Sequence, residues 1–216
     1  MQKKRTAILI SGRGSNMAAL LKAAQAPDYP AEISLVVSNR ADAAGLEVAA
    51  AAGINTMVLS HKDFKDRIAF DAALDAHLRI EGIEIICLAG FMRLLTPWLV
   101  QRWRDRMINV HPSLLPSFKG LDTHERALAA GVRFHGCTVH LVRAEMDEGP
   151  IVLQAVVPVQ PGDTPDSLAA RVLEQEHVIY PAGLALLASG RLSVEDERVV
   201  LAGVTAPRQV LISPEV

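Results

Sequence analysis

Asn109 and His111 stand two residues apart in Met107-Ile108-Asn109-Val110-His111-Pro112-Ser113-Leu114-Leu115-Pro116. The first is an amide that can donate a hydrogen bond. The second is the side chain that titrates near neutral pH. Met107, Ile108 and Val110 are apolar and read as a strand. Pro112 and Pro116 lack backbone donors and must end it. Alternation puts Asn109 and His111 on one side of that strand, roughly 7 Å apart at about 3.3 Å rise per residue. In an open α/β sheet, ligands bind beyond the carboxyl ends of strands, which is where this pair falls. From position alone, a polar strand end with a satisfied histidine is an equal reading.

Gly12-Arg13-Gly14-Ser15-Asn16 joins an apolar run to a helical pattern. Its glycines allow a tight turn, and the free N–H groups of a helix start suit a phosphate. It lacks the third glycine of a dinucleotide fingerprint, and Ser38-Asn39 offers no acidic residue for a ribose. No Gly-Lys-Ser/Thr follows, so it is not a Walker loop. A monophosphate site or a plain tight turn remain. Leu88-Ala89-Gly90-Phe91-Met92-Arg93-Leu94-Leu95 could line a flat, mostly apolar pocket for a heteroaromatic ring, or simply pack the next helix.

Asp147, 36 residues after His111, sits in a turn. A carboxylate beside an imidazole favours the cation, but sequence spacing does not place the two together. Glu176, in Gln175-Glu176-His177-Val178-Ile179-Tyr180-Pro181, could bind sugar hydroxyls or face solvent. The seven histidines form no HExxH and no cluster at ligand spacing, so no metal is expected. No GxSxG or cysteine-centred nucleophile appears.

The elements that must position these residues alternate. Strands are expected at Thr6–Ile10, Ile33–Val37, Thr56–Leu59, Ile83–Leu88 and Met107–Val110. Helices are expected from Met17, over Ala43–Ala52, over Asp63–Ile80 with Phe64, Ile68, Phe70, Ala72, Leu74 and Leu78 as its stripe, and from Thr96-Pro97 to Trp103. This order predicts a mostly parallel, open, twisted sheet with helices on both faces, a Rossmann-like α/β fold. The second half reads differently. Asp122 can cap a helix over Thr123–Ala130. Thr138–Val142 and Ile151–Val159 read as an antiparallel pair. Asp163-Thr164-Pro165 starts a long helix to Ser189, bent at Pro181. Leu192 to Val216 reads as a short hairpin.

The 216 residues carry a formal net charge of −2, with 22 basic and 24 acidic side chains. No basic excess points to nucleic acid. No apolar run approaches the roughly 18 residues of a membrane span, and the run after Met1-Gln2-Lys3-Lys4-Arg5 is too short for a signal peptide. Two isolated cysteines fit a reducing compartment. The expectation is a cytoplasmic protein, monomer or homodimer, with 1–216 as one domain: a phosphate-binding half to 110 and a catalytic half from 111.

Together these stretches, with Gly120-Leu121-Asp122-Thr123-His124, His135-Gly136-Cys137-Thr138-Val139-His140 and Met146-Asp147-Glu148-Gly149-Pro150, resemble the phosphoribosylglycinamide formyltransferases, folate-dependent enzymes of purine synthesis. The resemblance spans nearly the whole chain. Arg13, Cys137, Thr138 and Glu148 depart mildly from its pattern. It implies formyl transfer from 10-formyltetrahydrofolate to the amine of phosphoribosylglycinamide, with no metal. It implies that Asn109 donates to the formyl oxygen, that His111 stabilises the tetrahedral intermediate and shuttles protons, and that Asp147 pairs with His111. Gly14, Ser15 and Asn16 would hold the phosphate and Glu176 the ribose. Arg67, Met92, Arg93, Leu94, Leu95, Asn109, Arg143, Ala144, Glu145, Met146 and Asp147 would line the folate pocket. Two rivals are kept. Formyltetrahydrofolate deformylase shares the core but usually carries an added N-terminal domain, whereas Met1 to Arg5 here leads into the first strand. A nucleotide-binding module without catalysis would explain the glycine loop but not the Asn109–His111 pair. Methionyl-tRNA formyltransferase is disfavoured, since that family carries a further C-terminal domain and a basic surface for tRNA.

Overall fold

The alternating apolar runs of the first half pack as strands covered by helices. The computed structural model describes residues 2–203, 205 and 211–213. β1 (Lys4–Ile10), β2 (Ala31–Ser38), β3 (Asn55–Val58), β4 (Ile85–Leu88), β5 (Met107–His111), β6 (Phe134–Leu141) and β7 (Ile151–Pro158) form one sheet in the order β3-β2-β1-β4-β5-β6-β7. β1 to β5 pair in parallel, while β5–β6 and β6–β7 are antiparallel. The strand order reverses between β1 and β4. That reversal opens a crevice at the carboxyl ends of the two strands.

Among the described residues six α-helices cover the sheet: α1 (Ser15–Ala24), α2 (Gly45–Ala51), α3 (Arg67–Ile80), α4 (Pro97–Arg102), α5 (Thr123–Ala129) and α6 (Pro165–Ala188). Strand alternation sorts the core into two layers. Ile8, Ile10, Val36, Cys87 and Ile108 pack with Met17 and Leu20 of α1 and Tyr180 and Leu184 of α6. Ala7, Leu9, Leu35, Val37, Ile86 and Leu88 pack on the other side with Phe70, Leu74 and Leu78 of α3 and Trp103. The Tyr180 hydroxyl donates to the carbonyls of Leu88 and Ile108, at 2.8 and 3.2 Å. It ties α6 to β4 and β5 just below Asn109.

Several expectations need correction. α3 begins at Arg67, not Asp63, because the Asp66 side chain caps it by accepting from the Ala69 N–H at 2.8 Å. Asp63 lies in a separate 3-10 turn (His61–Asp63). Ile68 is 66% exposed and leaves the expected stripe. β4 starts at Ile85, since Ile83 and Glu84 form the short connection that leads out of the turn at Gly82 (φ +63). Asp122 precedes α5 in a left-handed conformation and makes no side-chain cap. α6 continues through Pro181 to Ala188, one residue short of the expected Ser189, and opens with a reciprocal Thr164–Ser167 capping box. The C-terminal hairpin is β8 (Leu192–Glu195) with β9 (Arg198–Leu201), a separate two-stranded sheet. The remainder expected to Val216 falls largely outside the described residues.

Candidate active site

β5 ends with Asn109 and His111, and antiparallel pairing sets His140 opposite Asn109 and Thr138 opposite His111. Partners across a sheet share a face, so these four polar side chains lie on one side of the sheet. Asn109 Nδ2 lies 3.2 Å from His140 Nε2. His140 Nδ1 lies 3.1 Å from the Leu141 carbonyl, which can only accept, so Nδ1 carries the proton. Nε2 is then bare and accepts from Asn109. Burial holds the His140 imidazole below the usual histidine range, keeping it neutral. Among the described residues the second N–H of the Asn109 amide has no partner.

The turn from β6 to β7 doubles back and brings Asp147 to the same place. Asp147 Oδ2 is 3.4 Å from His111 Nδ1, and Oδ1 is 3.8 Å from His140 Nε2. The Asp147 and His111 side chains are 9% and 8% exposed. Asp147 adopts φ +58, a conformation in which aspartate is tolerated better than most side chains. The Gly120 N–H donates to Asp147 Oδ2 at 2.9 Å, and Lys119 Nζ meets Glu148 at 2.7 Å. The loops 111–122 and 143–149 are therefore held together. His111 Nε2 donates to the Phe118 carbonyl at 3.0 Å. Both ring nitrogens of His111 thus face oxygen atoms, Nδ1 that of Asp147 and Nε2 that of Phe118.

Loop 111–118 is held from beneath by Thr138. Its Oγ1 donates to the Ser113 carbonyl and accepts from Leu115 N–H and Gln154 Nε2, at 2.7 to 3.0 Å. His135 is buried against Phe118 and His124. Burial pushes its pKa down to about 4.

At the crevice, Gly14 turns through φ +75 into α1 and no side chain caps the helix. The first N–H groups of α1 are thus unclaimed by a cap. Asn16 Nδ2 donates to Glu176 Oε2 at 2.6 Å. Glu176 is buried, which raises its carboxyl pKa, and Asn16 partly opposes that rise. Asn16 Oδ1 is buried without a partner. Glu176 lies one helical turn before Tyr180, so the same ridge of α6 reaches both the glycine loop and the floor of β5.

The loop after β4 leaves Met92 71% and Leu94 58% exposed, an apolar rim beside the crevice. Ser11 Oγ accepts from the Met92 N–H at 2.8 Å and donates to Asn39 at 2.6 Å, pinning that loop to β1 and β2. Leu95 is half-buried in the α3 layer, Arg93 stacks 4.5 Å over the Phe70 ring, and Arg67 opens α3 in the open. Ala144, Glu145 and Met146 are exposed. The Arg143 guanidinium serves two carboxylates, Asp105 at 2.7 Å and Glu197 at 2.6 Å. Sequence reasoning gave no role to His140, Thr138 or Ser11. Only the β5–β6 register reveals the first two. Among the described residues no group of three or more His, Cys, Asp or Glu could hold a metal ion, and no helix is long and apolar enough to cross a membrane.

Comparison with known proteins places this geometry in a family. The family model described as formyl transferase matches residues 4–184. The human trifunctional purine biosynthetic protein adenosine-3 is 51% identical over 89% of the chain, which spans 19% of that protein's length. The phosphoribosylglycinamide formyltransferase of Escherichia coli (strain K12) is 44% identical, covering 94% of this chain and 95% of its own. The structure of glycinamide ribonucleotide transformylase 1 from Symbiobacterium toebii superposes with a TM-score of 0.90 at 45% identity, over 92% of this chain and 94% of that one. A formyltetrahydrofolate deformylase from Pseudomonas syringae pv. tomato reaches 0.85 at 27% identity, over 93% of this chain and 66% of that one.

Proposed function

The chain belongs to the phosphoribosylglycinamide formyltransferase family, and from that premise we propose how its site moves a formyl group from 10-formyltetrahydrofolate to the amine of 5'-phosphoribosylglycinamide. Attack of the amine on the formyl carbon builds negative charge on the formyl oxygen. The free N–H of Asn109, with its other N–H already fixed on His140, is a preorganised donor for that oxygen. One such donor is worth roughly 3 to 4 kcal/mol. His111, faced by Asp147, adds a second N–H group beside the same charge. The amine must lose a proton and N10 of the folate must gain one. In this reading Nε2 of His111 leaves the Phe118 carbonyl, gives its proton to N10 and takes one back from the amine, a role worth about 10²- to 10⁴-fold. No covalent enzyme intermediate is needed.

The phosphate sits on the uncapped start of α1 at Gly14, Ser15 and Asn16, and Glu176 holds the ribose hydroxyls. Met92, Leu94 and Met146 supply the apolar wall for the folate, with Arg67 and Arg93 at its edge. The phosphate loop thus falls in the residues to 110 and His111, His140 and Asp147 in those from 111, within one formyltransferase unit, although Asn109, Glu176 and the folate wall cross that line.

The observation that carries this reading is the convergence of Asn109, His111, His140 and Asp147 on one point. The deformylase reading keeps the same four residues and replaces the amine with water. Supplying 10-formyltetrahydrofolate with and without phosphoribosylglycinamide, and following the folate product, separates the two. Turnover that requires the ribonucleotide is expected. Equal turnover without it would make the protein a hydrolase, and none in either case would leave a binding module.

A further inference from the structure

The family match ends at residue 184, yet the hairpin beyond it reaches back to the catalytic loop. β8 and β9 are joined by Asp196 and Glu197, both in the left-handed region at φ 48 and 56. Such turns favour asparagine and glycine, and a glutamate there is conformationally costly. Its carboxylate is nevertheless well used. Glu197 Oε2 accepts from Arg143 Nε at 2.6 Å, while Glu197 Oε1 contacts Arg104. Arg143 Nη2 donates in turn to Asp105 at 2.7 Å. The Arg143 side chain is only 9% exposed between these partners.

Arg143 occupies a particular place. It is the first residue of loop 143–149, and Gly149 closes that loop. A Cβ on Gly149 would lie 3.3 Å from Arg143 Cγ and 1.6 Å from the Leu141 carbonyl oxygen. The two ends of the loop are therefore packed on each other through Arg143. Asp147, near the far end of the loop, meets His111 and His140, and Met146 is exposed beside Gly120. Anything that fixes Arg143 fixes the base from which Asp147 and the folate wall project.

We propose that Glu197 is a positioning residue for the folate loop: the C-terminal hairpin, through the Glu197–Arg143–Asp105 clamp, holds loop 143–149 in its catalytic shape. The proposal rests on the formyl-transfer reading for its kinetic test and on geometry alone for its second test. Glu197→Ala and Glu197→Gln are compared with wild type and with Glu195→Ala, which removes a carboxylate from the same hairpin away from the clamp. Glu197→Ala is expected to raise KM for 10-formyltetrahydrofolate about fivefold. KM for the ribonucleotide, whose phosphate binds at the other end of the crevice, stays within twofold. Glu197→Gln falls between, and Glu195→Ala matches wild type. Glu197→Ala adds nothing to Arg143→Ala, since both break one clamp.

Folate KM within twofold of wild type, equal rises for both substrates, or additive losses with Arg143→Ala would each overturn the proposal. Hydrogen exchange of the 143–149 amides supplies a readout independent of turnover. Exchange there should quicken at least fivefold in Glu197→Ala, and unchanged exchange would overturn the clamp. A wild-type protein without formyl transfer would sink the function reading, leaving exchange to decide the clamp.

Discussion

Replacing Asp147 with asparagine isolates the charge that faces His111. The amide keeps the shape and an oxygen to accept the Gly120 N–H, now 2.9 Å from Oδ2, so the loop should stay in place. What disappears is a negative charge 3.4 Å from His111 Nδ1. Two unit charges at that distance interact by about 5 kcal/mol at an effective dielectric near 20 and about 1 kcal/mol in water. Both side chains are less than a tenth exposed, which puts the effect between these limits. About 3 kcal/mol corresponds to a loss of roughly 10²-fold in rate. Asp147→Asn should therefore lower kcat about 100-fold, with KM for the ribonucleotide within threefold. The assay is steady-state formyl transfer with each substrate varied, beside circular dichroism to confirm the fold. Combined with His111→Ala, the loss should not grow in proportion, because the two act as one unit. A folded Asp147→Asn protein that turns over within threefold of wild type would refute the charge pairing, and losses that simply multiply would refute the shared unit.

Two further outcomes follow from packing and burial. A Cβ at Gly45 would lie 2.7 Å from Ile10 Cδ1, 3.1 Å from the Gly12 carbonyl and 3.3 Å from Gly14 Cα. Gly45→Ala should displace the glycine loop, raise KM for the ribonucleotide about tenfold and leave the folate KM unchanged, with overpacking costing about 1 to 3 kcal/mol in thermal or urea melts. Unaltered ribonucleotide kinetics would show that the loop does not hold the phosphate. His135 is held neutral by burial, with a folded pKa near 4 against 6.5 when free. The unfolded chain therefore takes up the proton first, so this contribution is intact above pH 6.5 and is lost as pH falls toward 4. Urea midpoints between pH 4 and 6.5 should show His135→Asn less steep than wild type by up to one proton, about 1.4 kcal/mol per pH unit. Identical slopes would place the titration elsewhere.

Much of the fold was legible because its signals are local. Short apolar runs ended by glycine or proline, and Thr96-Pro97 and Thr164-Pro165 as helix starts, need no tertiary knowledge. The misplaced start of α3 shows the limit of that reading. Asp63 and Asp66 are equally good caps by type, and the competition was settled where only Asp66 could reach the Ala69 N–H. Ile68 fits the helical period yet faces solvent, since periodicity names a face without saying how wide the neighbouring layer is. At the site, Asn109 and His111 announced themselves by residue type at a strand end. His140 did not, being a histidine in an apolar strand until the β5–β6 register set it against Asn109.

The chain by itself determined the order of elements, the strand end carrying Asn109 and His111, and the glycine turn before α1, because backbone sterics and hydrophobic period act over a few residues. Tertiary structure decided what those residues touch. It brought Asp147 across 36 positions to His111, turned Arg143 to Asp105 and Glu197, and left the second N–H of Asn109 without a partner among the described residues. Such pairings depend on strand register and on the return path of one loop. Register and return path minimise the energy of the whole packed core, and no stretch of sequence encodes them alone.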